Sequence, residues 1–363
     1  MRDAGVELVA DFSSVSAIGV FESLKLAPRL LWEFAKLKQA FLERPPDVFV
    51  PIDFGAFNVR LGRFARKHGI PTVYYFPPGS WRRRQRDQSS LLAAADKIIT
   101  PFPWSAELLA QAGADVAFPG HPMLDWAAPS RSRRRFADGL NLREDARVVG
   151  LLPGSRPHEI KNILPTLIRA SMRVSERMPT AFAYVIPASS ERAMSEIFRI
   201  LARMIPERWR PHMGHDFEGD DGLLTQYRVV LDATYDVMAH SELLITCCGT
   251  ATLEAMIVGT PMIIVYRGSH IMKIEYLFRR GILEDFAGMP NIVAGREICP
   301  ELLGNEASPE AIAKLAVELL QNPEKLKRMK EDLLSAKTVL GKPGGTARAA
   351  EIVLAAAGAL SSA

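Results

Sequence analysis

Residues 242–268, ELLITCCGTATLEAMIVGTPMIIVYRG, place a helical stretch between two short apolar runs. The first run ends at Gly249 and Thr250, and Gly259 separates the helical stretch from the second run. Glycine permits close approach of the backbone to a ligand, and the start of a helix offers amides to an anion. The segment therefore predicts one βαβ unit with Gly249 and Thr250 at a ligand-binding edge.

The same alternation extends to both sides of this unit. Further strands are predicted at 47–53, 71–76, 97–102, 114–120, 147–154, 181–188 and 227–233. Helical stretches separate these runs, which implies right-handed βαβ units and parallel sheets. We expect an α/β fold with two Rossmann-like, doubly wound domains facing a cleft, followed by C-terminal helices. The predicted parts are a first domain over 1–135, a second domain over 136–340, and a helix over 341–363 that could return to the first domain.

Composition narrows the class of protein. The chain has 363 residues, of which 48% are hydrophobic and 24% charged, and its net charge is +4. These values argue against disorder, a disulfide scaffold and a dedicated nucleic-acid binder. The first residues, MRDAGVELVADF, lack the apolar core of a signal peptide, and no apolar run reaches the ~20 residues of a spanning helix. The three cysteines lack the spacing of a metal site. His212 and His215 could bind a metal, but no third ligand is in view and a solvated loop is favoured, so we expect no metal and no cofactor.

A second candidate site lies in residues 151–162, LLPGSRPHEIKN. An apolar strand ends at Gly154 and Ser155, Arg156 follows, and a helix opens at Pro157, with Ser155 as its expected cap. Free amides and a cation at a helix start would suit a phosphate. A tight strand-to-helix turn with no ligand is the alternative.

Other polar residues at predicted strand or helix ends have two explanations each. Asp53, at the end of the strand in 48–58, could be a general base or could cap the next helix. Glu254 could accept two hydrogen bonds from a ribose diol or favour a helix N-terminus. Asn291, Arg296 and Glu297 lie in MPNIVAGRE (289–297), which a solvated loop would also explain.

Taken together, these segments resemble lipid-A-disaccharide synthase, a bacterial glycosyltransferase family. The segments that carry the resemblance are PDVFVPIDFGAFN, GHPMLD, LLPGSR with Glu159, CCGTATLEAMIVGTPMIIVYR and MPNIVAGRE, in the family's order. The resemblance implies a GT-B fold and an inverting transfer that joins UDP-2,3-diacylglucosamine to 2,3-diacylglucosamine 1-phosphate and releases UDP. It implies that the domain over 1–135 is on the acceptor side, that the domain over 136–340 binds the UDP-sugar, and that Asp53 is the catalytic base. The implied nucleotide-sugar site comprises Gly154, Ser155, Arg156, Glu159, Gly249, Thr250, Glu254, Tyr266, Arg267, Asn291, Arg296 and Glu297.

The resemblance also implies partners and a location. The chain is expected to be cytoplasmic and peripheral at the inner-membrane surface, with a possible homodimer and no nucleic acid. The amphipathic segment 19–32 and the basic runs at 81–86 and 131–135 would suit that membrane contact.

The family ordinarily begins with a strand that leads into Gly-Glu-x-Ser-Gly-Asp. Because MRDAGVELVADF matches a later point, we expect the first domain to be incomplete. A truncated, non-catalytic UDP-binding remnant is one alternative. A related GT-B transferase acting on another lipid-linked sugar is another.

Overall fold

The computed structural model describes residues 4–9, 20–83, 87–178, 182–205, 225–266 and 286–358. The chain divides into two compact units. The first comprises Met1–Pro122 together with Lys342–Ala363, and the second comprises Met123–Gly341. The division therefore falls before the predicted boundary at 135, and the last helix belongs to the first unit.

The first unit is built around a small parallel sheet. Its elements are α1 (Val20–Glu43), α2 (Gly55–Lys67), β1 (Val73–Tyr75), α3 (Ser89–Leu92), β2 (Lys97–Ile99), α4 (Pro103–Gln111) and β3 (Val116–Ala117). The strands pair in the order β1-β2-β3. Val73, Tyr74, Ile98 and Ile99 are buried between the surrounding helices.

The predicted strand at 47–53 is reduced in the structure. This segment makes two isolated parallel bridges to β1, Phe49 with Thr72 and Ile52 with Tyr75. Pro51 lies between the bridges, and a proline cannot donate a ladder hydrogen bond, so it interrupts a regular strand. The segment still runs parallel to β1 and ends at the same edge of the sheet.

The second unit contains a six-stranded parallel sheet. Its elements are α5 (Arg133–Asp138), β4 (Arg147–Leu152), α6 (Pro157–Arg177), β5 (Phe182–Ala188), α7 (Glu191–Met204), β6 (Thr225–Leu231), α8 (Thr234–His240), β7 (Leu243–Cys247), α9 (Thr250–Val258), β8 (Met262–Tyr266), α10 (Met289–Ala294), β9 (Glu301–Leu303), α11 (Pro309–Leu320) and α12 (Pro323–Lys337). A last helix, α13 (Gly345–Gly358), returns the chain to the first unit. The residues of β5 and β7 are buried without exception, as expected for a parallel sheet covered on both faces.

The order of these strands is β6-β5-β4-β7-β8-β9. Counted within the unit this is 3-2-1-4-5-6, the order of the dinucleotide-binding Rossmann sheet. Strand β9 was absent from the sequence-based prediction because its three residues are too short to show a period.

Candidate functional site

The strand order puts the topological switch point of the second unit between β4 and β7. From β4 the chain moves outward through β5, whereas from β7 it moves outward through β8 in the opposite direction. The connections that follow β4 and β7 therefore diverge and leave a crevice at the carboxyl ends of these strands, where open α/β sheets bind ligands. Residues 153–156 follow β4, and residues 248–250 follow β7. The topology thus brings together the two glycine-containing turns that the sequence singled out.

The turn between β4 and α6 is closed by its own carboxylate. Gly154 has a φ of 105°, and a Cβ at this position would lie 2.4 Å from Oε2 of Glu159. That oxygen accepts hydrogen bonds from the amides of Ser155 and Arg156, both at 3.1 Å. A carboxylate at a helix N-terminus is also favoured by the helix dipole. Glu159 therefore stabilises the start of α6.

Two expectations for this turn need correction. The residue at the N-cap of α6 is Arg156, so Ser155 lies one position before the cap. The amides of Ser155 and Arg156 are also not free, because Glu159 accepts both. What this turn offers a ligand is the guanidinium of Arg156, whose side chain is 53% exposed even though it contacts Oε1 of Glu159 at 3.2 Å.

The turn between β7 and α9 is open by comparison. Gly249 and Thr250 are exposed, and no atom lies within 4 Å of the position that a Cβ on Gly249 would occupy. The amides of Thr250 and Ala251 make no hydrogen bond with any described residue. Unpaired amides at the positive end of a helix are suited to a phosphate. Among the described residues, this turn therefore has helix-start amides that are not used by the protein, unlike the turn before α6.

Hydrogen bonds of Thr252 and Cys248 fix the conformation of this turn. The hydroxyl of Thr252 donates to the carbonyl of Gly249 at 2.8 Å and accepts from the amide of Met289 at 3.2 Å. The thiol of Cys248 donates to the carbonyl of Ala287 at 3.0 Å. The turn is therefore tied to the start of α10 on one side, and no described residue contacts the position of a Cβ on Gly249 on the other side.

Glu254 lies one turn into α9 and is half-buried. Its Oε1 accepts a hydrogen bond from the hydroxyl of Tyr235 at 2.8 Å. Burial, and then the hydrogen bond to Glu254, raise the pKa of Tyr235, so this tyrosine stays protonated as a donor. Oε2 of Glu254 accepts no hydrogen bond from a described residue, and the contact with Tyr235 orients the side chain.

Asn291 has a structural role instead of the sugar contact suggested by the sequence. Its side chain is fully buried. Oδ1 accepts from the amides of Ile298 and Cys299 at 2.7 and 2.9 Å, and Nδ2 donates to the carbonyl of Cys299 and to Glu301 at 2.8 and 2.7 Å. All four hydrogen-bonding positions of this amide are therefore used to hold the chain leading into β9.

Arg296 and Glu297 lie on the wrong side of the sheet for the crevice. They precede β9, which pairs in parallel with β8. The chain leading into a strand lies at the amino-terminal edge of a parallel sheet, whereas the crevice lies at the carboxyl-terminal edge. Arg296 also pairs with Asp332 on α12 at 2.6 Å. The prediction that these two residues bind the nucleotide sugar is therefore corrected.

The remaining candidates at strand ends have less structural detail. Tyr266 ends β8 at the carboxyl edge and is half-buried, as the predicted position requires. Arg267 lies outside the described residues, as does the loop with His212 and His215. Among the described residues there is no cluster of His, Cys, Asp or Glu that could hold a metal ion.

Cys247 and Cys248 are next to the crevice but are not reactive thiols. Burial is the main cause that raises the pKa of both to about 12, so both are protonated at neutral pH. The negative charge of Glu159 also contributes to the raised pKa of Cys247, because Glu159 lies near the end of β7.

In the first unit, Asp53 occupies a strained turn. Asp53 and Phe54 have φ values of 47° and 46°, the left-handed region that non-glycine residues rarely adopt. Such a conformation costs about 1–2 kcal/mol per residue, so surrounding contacts have to maintain it. Phe54 is the N-cap of α2 and makes no side-chain cap bond, so Asp53 does not cap this helix. The capping alternative is therefore wrong, and the carboxylate of Asp53 is exposed.

Two side chains hold this turn. Nδ2 of Asn58 donates to the carbonyls of Ile52 and Asp53 at 3.0 and 2.9 Å. The hydroxyl of Tyr74, a buried residue of β1, donates to the same Asp53 carbonyl at 2.8 Å. Burial, and then the charge of Asp53, raise the pKa of Tyr74, so its hydroxyl remains a donor and lies close to the carboxylate.

The sequence did not single out Asn58, Tyr74 or Tyr235. Asn58 was inside the quoted segment 48–58, but nothing in a sequence shows that the residues at 53 and 54 are left-handed. Tyr74 and Tyr235 reach their partners across the fold, so only the structure reveals these contacts.

The second basic run is partly internal. Asp236, which is buried, accepts from the amides of Ser130 and Arg131 at 2.7 and 2.8 Å. The guanidinium of Arg133 donates to the carbonyls of His240 and Glu144 at 2.6 and 3.1 Å. Arg131 and Arg133 are therefore committed to the fold, which corrects the expectation that this whole run faces a membrane.

The family model described as Lipid-A-disaccharide synthetase matches residues 1–356. The lipid-A-disaccharide synthase of Syntrophus aciditrophicus is 33% identical over 356 residues, covering 98% of this chain and 87% of the relative. That of Geobacter sulfurreducens is 33% identical over 354 residues, covering 98% and 86%.

Solved structures agree on the fold. The structure of S. aureus MnaA with UDP superposes with a TM-score of 0.58 at 15% identity, covering 89% of this chain and 79% of the other. MurG of Acinetobacter baumannii superposes with a TM-score of 0.53 at 12% identity, covering 90% and 79%. At this level of identity the likeness concerns the fold alone, and it confirms the predicted α/β fold of the GT-B class.

Proposed function

The chain belongs to the lipid-A-disaccharide synthetase family, and from this membership we propose that it is an inverting glycosyltransferase of lipid A biosynthesis. The donor is UDP-2,3-diacylglucosamine, the acceptor is 2,3-diacylglucosamine 1-phosphate, and the products are lipid A disaccharide 1-phosphate and UDP. The observation that carries the proposal is the open N-terminus of α9 at the switch point of a Rossmann sheet, next to an oriented carboxylate.

The second unit binds the donor nucleotide in this proposal. The amides of Thr250 and Ala251, together with the dipole of α9, receive the diphosphate, and the exposed guanidinium of Arg156 adds a positive charge. Glu254, oriented by Tyr235, accepts hydrogen bonds from the ribose hydroxyls. These groups stabilise the negative charge that develops on UDP as the bond to the anomeric carbon breaks.

Asp53, in the first unit, acts on the acceptor. Its exposed carboxylate removes the proton of the acceptor's 6-hydroxyl while that oxygen attacks the anomeric carbon from the face opposite UDP. One bond forms and one breaks in a single displacement, so the configuration at the anomeric carbon is inverted. Support for this role is that the carboxylate is exposed and is not used to cap α2.

We also propose a peripheral membrane contact through α1. Leu31 and Trp32 are 66% and 62% exposed, and Lys36 lies 5.5 Å from the Trp32 ring. Exposed apolar and aromatic side chains with neighbouring cations suit an anionic bilayer surface. No helix in the described part of the chain combines the length and the apolar character needed to cross a bilayer.

The test of the donor site is release of UDP and binding of UDP, measured separately. The purified chain, incubated with donor and acceptor, should release UDP, and calorimetry should detect binding of UDP alone. Glu254→Ala should weaken UDP binding about tenfold or more, the loss of one or two hydrogen bonds to a charged acceptor. Arg296→Ala is the matched control, since this residue lies at the opposite edge of the sheet and should leave UDP affinity unchanged.

The outcomes separate the alternatives. UDP binding without release favours a non-catalytic remnant. Release with another lipid-linked acceptor, and none with the acylated glucosamine phosphate, favours a related transferase. Equal UDP affinity in wild type and Glu254→Ala would contradict the ribose contact.

A further inference from the structure

The left-handed turn at Asp53 is maintained by side chains that have no role in capping α2. Consecutive non-glycine residues in the left-handed region are uncommon, and they persist only where contacts over-determine the conformation. Here three hydrogen bonds converge on the two carbonyls of residues 52 and 53, two from Asn58 and one from Tyr74. Each donor is placed by a different element, α2 and β1.

This arrangement sets the direction of the Asp53 side chain through its backbone. A change of φ at Asp53 from the left-handed to the extended region would swing the Cα–Cβ bond away from its present position. The donors act on the carbonyl oxygens and not on the carboxylate, so they leave the carboxylate oxygens available to accept a proton. The hydroxyl of Tyr74 contacts the Asp53 carbonyl from inside the sheet, where Tyr74 is completely buried.

We propose that Asn58 and Tyr74 are positioning residues that hold the turn of Asp53 and Phe54 so that the Asp53 carboxylate is presented to the acceptor hydroxyl. This inference rests on the proposed role of Asp53 as the base. Misplacement of a reacting group by about 1 Å can cost on the order of a hundredfold in rate. Removal of either donor should therefore lower kcat while the binding of the nucleotide in the second unit is unaffected.

The experiment compares Asn58→Ala and Tyr74→Phe with wild type in the UDP-release assay. We expect kcat to fall about tenfold to a hundredfold in each, with the KM for the donor and the Kd of UDP unchanged. Tyr227→Phe is the matched control. Its hydroxyl is equally buried and is hydrogen-bonded to Ser171 at 2.8 Å, but Tyr227 belongs to the second unit, whereas Asp53 belongs to the first.

This control separates positioning from stability. Tyr74→Phe and Tyr227→Phe each remove one buried hydroxyl, so both should lower Tm by similar amounts. Only Tyr74→Phe should lower kcat. An unchanged kcat per folded molecule in both Asn58→Ala and Tyr74→Phe would overturn the inference, whatever happens to Tm.

A second measurement does not depend on turnover. The amides of Phe57 and Asn58 donate to the carbonyl of Phe54 at 3.2 and 3.0 Å, so their hydrogen exchange reports whether the turn is intact. Exchange at these amides should become faster in Asn58→Ala and Tyr74→Phe, and should stay at the wild-type rate in Tyr227→Phe. If these amides exchange at the wild-type rate in Asn58→Ala and Tyr74→Phe, the inference that the two side chains hold the turn is overturned, whether or not the wild-type chain releases UDP. If the wild-type chain releases no UDP, the proposed function is contradicted instead.

Discussion

Two acidic turns, one in each unit, follow parallel segments and precede helices, yet they use their acids differently. In the turn before α6, glycine takes the positive φ, 105° at Gly154, and Glu159 folds back onto the amides of Ser155 and Arg156. In the turn before α2, the acid itself takes the positive φ, 47° at Asp53, and its carboxylate is left exposed. The backbone there is held by other side chains.

The difference separates an acid that serves the fold from one that, in our proposal, reacts with the acceptor. The carboxylate of Glu159 already accepts hydrogen bonds from the amides of Ser155 and Arg156, and it stabilises the helix in whose first turn it lies. The carboxylate of Asp53 is exposed and accepts no hydrogen bond from a described residue, while Asn58 and Tyr74 offset the strain of its backbone. Both turns follow the end of a strand, so this position does not distinguish the two acids. The hydrogen bonds that each carboxylate makes do distinguish them.

The largest effect is expected at the strained turn. Asp53→Asn should reduce turnover by about 10²–10⁴-fold, since an amide cannot accept the proton, and this corresponds to about 3–5 kcal/mol of transition-state stabilisation. Asparagine tolerates the left-handed region, so the fold should be retained. The measurement is the rate of UDP release, together with the Kd of UDP by calorimetry, which should not change.

The chain offers a matched control for this substitution. Asp232, at the end of β6, is also exposed and has a φ of 51°. Asp232→Asn makes the same chemical change in the same backbone conformation and should retain wild-type turnover. If Asp53→Asn turns over near the wild-type rate, Asp53 is not the base, and the two turns do not differ in function.

A smaller effect, on stability, is expected at the closed turn. Gly154→Ala should lower the free energy of unfolding by about 2–3 kcal/mol, because alanine is strained at this φ and its Cβ would meet Glu159. The corresponding fall in Tm is roughly 5–10 °C by scanning calorimetry. Gly304, with a φ of 62° and no atom near its Cβ position, is the control. Gly304→Ala should lose only the strain contribution, about 1 kcal/mol. Equal losses would mean that contact with Glu159 does not matter.

The smallest effect concerns Glu159 itself. Glu159→Ala should lower the free energy of unfolding by about 1 kcal/mol, the usual loss on removing a helix cap. Because we assign Glu159 to the helix and not to the ligand, the Kd of UDP should change by less than about threefold. Chemical denaturation and calorimetry measure the two quantities. If UDP affinity falls by much more than threefold and the free energy of unfolding is unchanged, Glu159 contacts the ligand and does not stabilise the helix.

Much of the fold was predictable from local pattern. Buried parallel strands are continuous apolar runs, and the glycine-containing turns after β4 and β7 mark helix starts, so these elements were placed within a few residues. The strand predicted at 47–53 is reduced to two isolated bridges, because a proline interrupts it. Strand β9 was not predicted, because it has only three residues. In the site, Gly249, Thr250 and Glu254 lie at the predicted edge because each is close in sequence to the end of β7.

Errors arose where side chains meet across the fold. Asn291 and Arg296 have residue types suited to a phosphate or a sugar, but one is buried in four hydrogen bonds and the other is paired with Asp332. The partner of Arg296 lies 36 positions away on α12, and the partners of Asn291 are brought to its side chain by the path of the chain between α10 and β9. The expected phosphate site at α6 failed for a similar reason, because the acid that blocks its amides was itself taken for a ligand contact.

The amino-acid sequence by itself determined the order of strands and helices, the parallel sheets and the glycine turns, because hydrophobic periodicity and backbone freedom are local properties. Tertiary structure alone decided which polar groups are used up and which are left open. That outcome depends on hydrogen bonds between elements distant in sequence, such as Tyr74 with Asp53 and Tyr235 with Glu254. A carboxylate has the same chemistry wherever it occurs in a sequence, and its partners in the folded chain determine whether it caps a helix or remains available to react.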